Sequence, residues 1–140
     1  MESIAVIFWS GTGNTATMAQ EVVAGTGGQA KLINVTDTNA DEAAAYDKLA
    51  LGCPSMGDEV LEEDEMEPFF TALEGKISGK KVVLFGSYDW GDGQWMRDWC
   101  ERAKEDGAQL FSDEGLICNE TPDDDAQAAC RKLGADLANW

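Results

Sequence analysis

The sequence predicts an α/β protein built on one doubly wound parallel sheet with helices on both faces. Short apolar runs recur along the chain, as expected for strands that are buried on both faces. Helical patterns separate these runs, which implies right-handed βαβ units. The chain has 140 residues, of which 44% are hydrophobic, so we expect a single domain over residues 1–140.

The elements alternate regularly along the chain. Strands are predicted at residues 4–9, 30–35, 48–53 and 80–87. An edge strand is predicted in two parts, residues 109–111 and 116–119, interrupted by residues 112–115. Helices are predicted after the first strand up to Gly25, through Tyr46, over residues 62–73, around Trp95 and Trp99, and from residues 123–125 through Leu137.

Local signals justify several helix ends. Asn39 or Asp41 can cap the short second helix, because Asn and Asp side chains accept from first-turn amides. Gly75 ends the third helix, as a glycine after the last turn commonly does. The acids at residues 123–125 suit the positive end of the last helix dipole.

The loop after the first strand has the composition of a phosphate cradle. It reads Ser10-Gly11-Thr12-Gly13-Asn14-Thr15 and opens a helix, so its glycines admit an anion and the first helix amides point at it. Residues 1–30 contain no Lys or Arg, unlike a nucleotide-triphosphate loop. The many hydroxyls favour one terminal phosphate. A pyrophosphate stays open, because the loop and Asp37 also satisfy the loose dinucleotide fingerprint, and so does a turn that binds nothing.

The loops after the third and fourth strands should converge on this cradle, since doubly wound sheets bind ligands beyond the carboxyl ends of their strands. These loops are residues 54–59 and 87–93. Each sets one large polarizable side chain beside a glycine, Met56 with Gly57 and Trp90 with Gly91. Either side chain alone is more typical of packing, but together they can sandwich a flat aromatic ring.

The formal net charge of −17 limits the classes of partner that the protein is expected to bind. It argues strongly against nucleic acid or an anionic membrane as a partner, and it favours a basic protein met by electrostatic steering. The alternative is that acidity only keeps the protein soluble. No apolar run approaches the roughly 20 residues of a membrane span, and the N-terminus has no basic signal region, so a cytoplasmic protein is expected.

Histidine is absent and the four cysteines form no C-x-x-C pair. Zinc fingers, dithiol redox motifs, and Cys-His or Ser-His-Asp catalysis are therefore excluded. Cys53 and Cys130 have the pattern of small buried hydrophobes in a reducing compartment. A cysteine phosphatase would need an Arg six residues after Cys53, where Glu59 stands.

Three motifs in order resemble a short-chain bacterial flavodoxin of the kind found in anaerobes. They are Ser-Gly-Thr-Gly-Asn-Thr after strand one, Met-Gly-Asp-Glu after strand three and Gly-Ser-Tyr-x-Trp-Gly-x-Gly after strand four. The similarity runs from residue 4 to about 138. It implies a three-layer sandwich whose five-stranded sheet has the order 2-1-3-4-5, with FMN at the switch between strands one and three.

The resemblance also implies a function. It indicates a monomeric, low-potential one-electron carrier without a substrate of its own, which cycles mainly between the neutral semiquinone and the anionic hydroquinone and passes electrons between redox proteins. A small FMN-dependent NAD(P)H or quinone reductase is the alternative, but it would need cationic groups that these loops lack. A receiver-type signalling module would need acids after strand one and a Lys after the last strand, where Phe8-Trp9-Ser10 and Leu116-Ile117-Cys118 stand.

The family pattern implies roles for individual residues. Ser10, Thr12, Gly13, Asn14 and Thr15 would surround the FMN phosphate. Met56 would cover the inner ring face and Trp90 the outer. Glu59 would accept from the ring N3–H, with the amides of Asp58 and Glu59 near O4 and those of Asp89 and Trp90 at the N1/O2 edge. The expected cofactor contacts are Ser10, Gly11, Thr12, Gly13, Asn14, Thr15, Pro54, Ser55, Met56, Gly57, Asp58, Glu59, Ser87, Tyr88, Asp89, Trp90 and Gly91.

Redox tuning follows from the same resemblance. Gly57 would let the peptide after Met56 turn its carbonyl toward the protonated N5 at the least conformational cost. Residues 58–67 carry seven carboxylates, and a charge about 10 Å away costs an anionic hydroquinone roughly 0.4–1.7 kcal/mol, or about 20–70 mV. The chain departs from the family at Pro54, where a hydroxyl residue is common, and at Asp89, where Gly is usual.

Overall fold

The computed structural model describes residues 3–111 and 114–140. Strands and helices alternate through this part of the chain. The strands are β1 (Ile4–Phe8), β2 (Ala30–Asn34), β3 (Lys48–Gly52), β4 (Lys81–Tyr88), β5 (Gln109–Leu110) and β6 (Leu116–Asn119). The helices are α1 (Asn14–Gly25), α2 (Ala40–Ala44), α3 (Met66–Leu73), α4 (Gln94–Glu105) and α5 (Asp124–Asn139).

The sheet is parallel and its order is β2-β1-β3-β4, with β5 and β6 sharing the position beyond β4. β5 pairs with the first residues of β4, and β6 pairs with the last four. The predicted doubly wound sheet with the order 2-1-3-4-5 is therefore confirmed, and so is the division of its fifth strand. Residues 112–113, within the predicted interruption, lie outside the described residues.

Alternate strand residues face two separate hydrophobic layers. Ala5 and Ile7 of β1 face the layer that α2, α3 and α4 cover. Ile4 and Val6 face the layer that α1 and α5 cover. The period-two side-chain pattern of each strand thus buries both faces of the sheet, as the unbroken apolar runs predict.

The cysteines expected in the core lie there. Cys53 and Cys130 are fully buried and free of disulfides. Burial raises the pKa of Cys53 to about 12 and the pKa of Cys130 to about 12. Both thiols therefore stay protonated and pack as small hydrophobes.

The third helix begins later than its apolar spacing predicts, at Met66 and not at residue 62. The carboxylate of Glu62 is buried and accepts from the amides of Asp64, Glu65 and Met66 at 2.8, 2.8 and 2.9 Å. The amides of Asp64 and Glu65 are thereby held in a turn ahead of the helix, and that of Met66 is held at its first residue. Glu62 caps α3 from four residues upstream, which the periodicity of apolar residues does not reveal.

Two other helix starts agree with their local signals. Asn39, and not Asp41, caps α2, because its side chain accepts from the amide of Glu42 at 2.9 Å. Asp123 caps α5 by accepting from the amide of Ala126 at 2.8 Å. Within the described residues, no helix combines the length and the apolar character that crossing a membrane requires.

Candidate functional site

The loops that follow β1, β3 and β4 meet at one edge of the sheet, as the topology predicts. Between them lies a cavity of about 120 Å³, to which all three loops contribute. Its lining residues are Trp9, Gly11, Thr12, Pro54, Ser55, Met56, Ser87, Tyr88 and Asp89. A larger hollow of about 640 Å³ lies along the flank of α4, but it does not stand at the carboxyl ends of the three strands, where this fold class binds ligands.

In the cradle before α1, side-chain hydroxyls accept hydrogen bonds from backbone amides of the same segment. The hydroxyl of Ser10 accepts from the amides of Gly13 and Ala16 at 3.1 and 3.2 Å. The amide of Asn14 makes a longer bond, 3.4 Å, to the hydroxyl of Thr12. Gly13 stands at the cap position with φ of 99°, without a capping side chain, and the first turn of α1 carries no acid.

This donor set fits a phosphate. The exposed positions Gly11, Thr12 and Gly13 lie at the positive end of a 12-residue helix, and the adjacent polar groups are neutral. Because no carboxylate stands in that first turn, the helix dipole is left to an outside anion. The cradle can therefore hold a phosphate through amides and hydroxyls alone.

Thr15 has a different surrounding from its neighbours in the cradle. It is 1% exposed, and its hydroxyl lies 2.9 Å from the hydroxyl of Ser87, itself 4% exposed. The amide of Ser87 also donates to the Thr15 hydroxyl at 3.3 Å, and the carbonyl of Ser87 accepts from the amide of Ser55 at 2.9 Å. Through these hydrogen bonds to Thr15 and Ser55, Ser87 links all three loops.

The loop after β3 is a tight turn closed by Met56 and Val60. Each of these two residues donates its amide to the carbonyl of the other, both at 2.9 Å. Inside the turn, Gly57 has φ of 51° and Glu59 has φ of 59°, so both have left-handed backbone. Glycine adopts that conformation freely, whereas glutamate does so at a cost.

Glu59 points away from the cavity. Its carboxylate accepts from the amide of Gln94, the first residue of α4, at 3.1 Å. It also borders a small hollow of about 90 Å³ that Trp95, Asp98 and Arg102 line. The acceptor expected at the cofactor ring is therefore engaged with a helix N-terminus.

The loop after β4 exposes its tryptophan. Trp90 is 61% exposed, and it is the most exposed large hydrophobic residue among those the structure describes. Tyr88, by contrast, packs on Trp95 with ring centroids 5.6 Å apart. Asp89 has no positive φ, since the non-glycine residues with positive φ in residues 3–111 and 114–140 are Glu59 and Glu120. An aspartate therefore occupies this position without left-handed strain.

The expected site residues divide into two groups. Those that line the cavity are Gly11, Thr12, Pro54, Ser55, Met56, Ser87, Tyr88 and Asp89. Those that lie outside its lining are Ser10, Gly13, Asn14, Thr15, Gly57, Asp58, Glu59, Trp90 and Gly91. The members of the second group lie in the same three loops or, for Asn14 and Thr15, in the first turn of α1, and they flank the lining residues along the chain.

Two further residues belong to the site, although they are not among the expected cofactor contacts. Trp9 lines the cavity, and atoms of its ring lie 3.0–3.3 Å from where a Cβ on Gly11 would stand. Its position at the end of a strand, directly before the cradle, predicts this packing against the phosphate loop. Asn119 was not recognisable, because its side chain reaches across from β6 to donate to the carbonyl of Tyr88 at 3.2 Å.

Charge is distributed unevenly between the two edges of the sheet. The loops at the carboxyl edge, residues 9–13, 53–65 and 89–93, contain no Lys or Arg. The opposite edge carries cations at or next to the first residues of its strands: Lys31, Lys48, Lys80 and Lys81. The candidate site therefore lies at the more acidic edge of an acidic molecule. We call this edge, formed by residues 9–13, 53–65 and 89–93, the acidic pole.

Comparison with known proteins decides the family. A family model described as Flavodoxin matches residues 6–133. The chain belongs to the flavodoxin family. The flavodoxin of Clostridium beijerinckii is 48% identical over 137 residues, which cover 96% of this chain and 98% of that protein.

Solved flavodoxins have the same fold. The solution structure of two-electron reduced Megasphaera elsdenii flavodoxin superposes with a TM-score of 0.88 at 44% identity, covering 98% of this chain and 99% of that one. Oxidised Flavodoxin 1 from Bacillus cereus gives 0.86 at 28% identity, covering 98% and 97%.

Flavodoxins bind FMN and carry electrons to redox partners; they are not enzymes with substrates of their own. This chain is accordingly an electron-transfer flavoprotein. The reductase and receiver alternatives are set aside.

Proposed function

We propose that the three converging loops hold FMN at the carboxyl edge of β1, β3 and β4, and that the protein passes single electrons between basic-faced redox proteins. The observation that carries this proposal is the cavity to which all three loops contribute, with a cation-free phosphate cradle on one side and Met56 on another. When bound, FMN supplies one-electron chemistry between the neutral semiquinone and the anionic hydroquinone.

The cradle residues would hold the phosphate. The hydroxyls of Ser10, Thr12 and Thr15, the side chain of Asn14 and the amides from Gly11 to Thr15 form a neutral donor set at the start of α1. The Ser10 hydroxyl accepts from two amides with its lone pairs, which leaves its O–H to donate to a phosphate oxygen. Pro54 has no N–H and the Ser55 amide is bonded to Ser87, which leaves the Ser55 hydroxyl as the donor from the third-strand loop.

The ring would lie against apolar side chains. Met56 and Trp9 line the cavity, and the exposed indole of Trp90 stands on the following loop, where it is free to stack. The backbone amides of Asp58, Glu59 and Asp89 would bond to the polar edges of the ring. Gly57 already has left-handed backbone, so its peptide can turn at low cost.

The acidic pole would lower the redox potential of the bound FMN and would favour a partner with a basic surface. The seven carboxylates in residues 58–67 disfavour additional negative charge nearby, which lowers the potential of a couple that ends in an anion. The same charges attract a basic surface and orient the carboxyl edge of the sheet toward it. Association with such a partner should weaken as the salt concentration rises.

Titration of the apoprotein with FMN tests this proposal. We expect binding of one FMN per chain, with quenching of the flavin fluorescence. Trp90→Ala should weaken binding by about 2- to 12-fold, because an aromatic stack contributes about 0.5–1.5 kcal/mol. Leu32→Ala removes another exposed hydrophobic side chain, on β2, and should leave binding unchanged. Failure of the wild-type protein to bind FMN would overturn the proposal.

A further inference from the structure

Helix α4 lacks a cap of its own. Its cap position is Gly93, which has φ of 95° and no side chain, and its first turn contains no acid. Helices α3 and α5 differ, since Glu62 and Asp123 accept from their first amides. The start of α4 therefore depends on an acceptor from elsewhere in the chain.

Glu59 supplies that acceptor from 35 residues upstream. Its Oε1 accepts from the amide of Gln94 at 3.1 Å. A carboxylate at this place satisfies one of the unpaired amides of the helix and lies at the positive end of its dipole. Within the described residues, the Glu59 side chain makes this one hydrogen bond.

The position of Glu59 also depends on Gly91. A Cβ on Gly91 would lie 2.4 Å from Oε1 and 2.5 Å from Cδ of Glu59. The carboxylate therefore lies directly against the backbone of the residue that follows Trp90. One side chain thus touches both the loop that carries Trp90 and the first residue of α4.

The other end of Glu59 is anchored in the turn of Met56. The amide and carbonyl of Met56 and Val60 pair with each other, and Glu59 stands between them with φ of 59°. A non-glycine residue keeps this backbone conformation only where its surroundings hold it. The turn and the cap on α4 together provide that restraint.

We propose that Glu59 is a positioning residue that couples the turn of residues 56–60 to the start of α4. The coupling fixes the spacing between Met56 and Trp90 in the apoprotein. That this spacing serves an aromatic ring rests on the function proposed above, whereas the coupling itself does not. Glu59 acts here through its bond to Gln94, independently of any contact it makes with a cofactor.

Hydrogen exchange of the Gln94 amide in the apoprotein, followed by NMR, tests the coupling. Glu59→Ala should raise the exchange rate by about 5- to 10-fold, because one charge-assisted hydrogen bond is lost. Glu59→Gln keeps an acceptor oxygen and should restore most of the protection. Glu63→Ala removes an exposed acid from the same stretch and should leave the rate unchanged.

Gly91→Ala provides an independent variant, because the added methyl group would displace the Glu59 carboxylate. Gly91 has φ of 91°, so the strain of an alanine there is common to both backgrounds. Gly91→Ala should therefore raise Gln94 exchange more in the wild type than in the Glu59→Ala background. Equal exchange rates in Glu59→Ala and Glu63→Ala would overturn the proposal, and so would an equal effect of Gly91→Ala in the two backgrounds. Because both measurements use apoprotein, a failure of FMN to bind would refute the proposed function and leave this test intact.

Discussion

The hydroxyls of Thr15 and Ser87 lie 2.9 Å apart, although the two residues are 72 positions apart in the chain. Both are buried at the point where the cradle, the loop after β3 and the end of β4 come together. Since the carbonyl of Ser87 also accepts from Ser55, one residue holds all three site loops. The geometry of the cofactor site therefore depends on a buried pair of hydroxyl groups.

Removing either hydroxyl should destabilise the protein. Thr15→Val or Ser87→Ala leaves its partner buried and less well bonded, which costs about 1–3 kcal/mol. The double variant should lose less than the sum of the two, because both partners of the 2.9 Å contact are then absent. Urea unfolding of the apoproteins measures these differences, with the exposed Thr121→Val as the matched control. Strictly additive losses would contradict the pairing.

The carboxyl of Asp106 makes stability depend on pH. Burial, followed by the hydrogen bond that the protonated carboxyl donates to Glu74 and by the negative charge of Glu74, raises the pKa of Asp106 to about 6, while Arg102 opposes the shift and Glu105 adds to it. A carboxyl whose pKa rises on folding stabilises the protein at low pH, and this contribution is lost as the pH rises through 6.

Asp106→Asn should therefore raise the melting temperature at pH 8 by no more than about 2–3 °C and change it less at pH 5. Thermal unfolding at the two pH values, compared with wild type, measures this. The exposed Glu101, on the same helix, provides the control variant, Glu101→Gln. A change in melting temperature that is equal at pH 5 and pH 8 would show that Asp106 does not titrate in this range.

Asp89 should lower the second one-electron potential of the bound FMN, because this residue lines the cavity and carries a negative charge. Asp89→Gly is expected to raise that potential by about 20–70 mV, nearer the lower figure because the side chain is exposed. A redox titration measures the shift.

Glu105→Gln serves as the control. Glu105 is the last of the 12 residues of α4 and lies about 17 Å along the helix axis from Gln94, the first residue of α4 and the end nearer to Asp89 in the chain. The potential of this variant should stay within about 10 mV of wild type, because salt screens charges at such distances. An unchanged midpoint in Asp89→Gly would refute electrostatic tuning by this carboxylate.

Much of the fold was predictable because local sequence patterns determine its strands and the loop of the phosphate cradle. Apolar runs predicted the strands, and the Ser10–Thr15 cradle predicted where a phosphate would be held. The late start of α3 was not predictable, because the Glu62 carboxylate captures amides that periodicity assigns to the helix. Contacts between residues that are distant in the sequence could not be predicted either. Nothing in the sequence near Glu59 indicates that its carboxylate caps a helix that begins 35 residues later.

Anaerobic reduction of the FMN-loaded protein with dithionite, followed by its visible spectrum, tests the central claim most directly. A one-electron carrier should turn from yellow to a blue neutral semiquinone before it bleaches, with two separated steps. Bleaching in a single two-electron step would contradict the account, and so would a protein that retains no FMN.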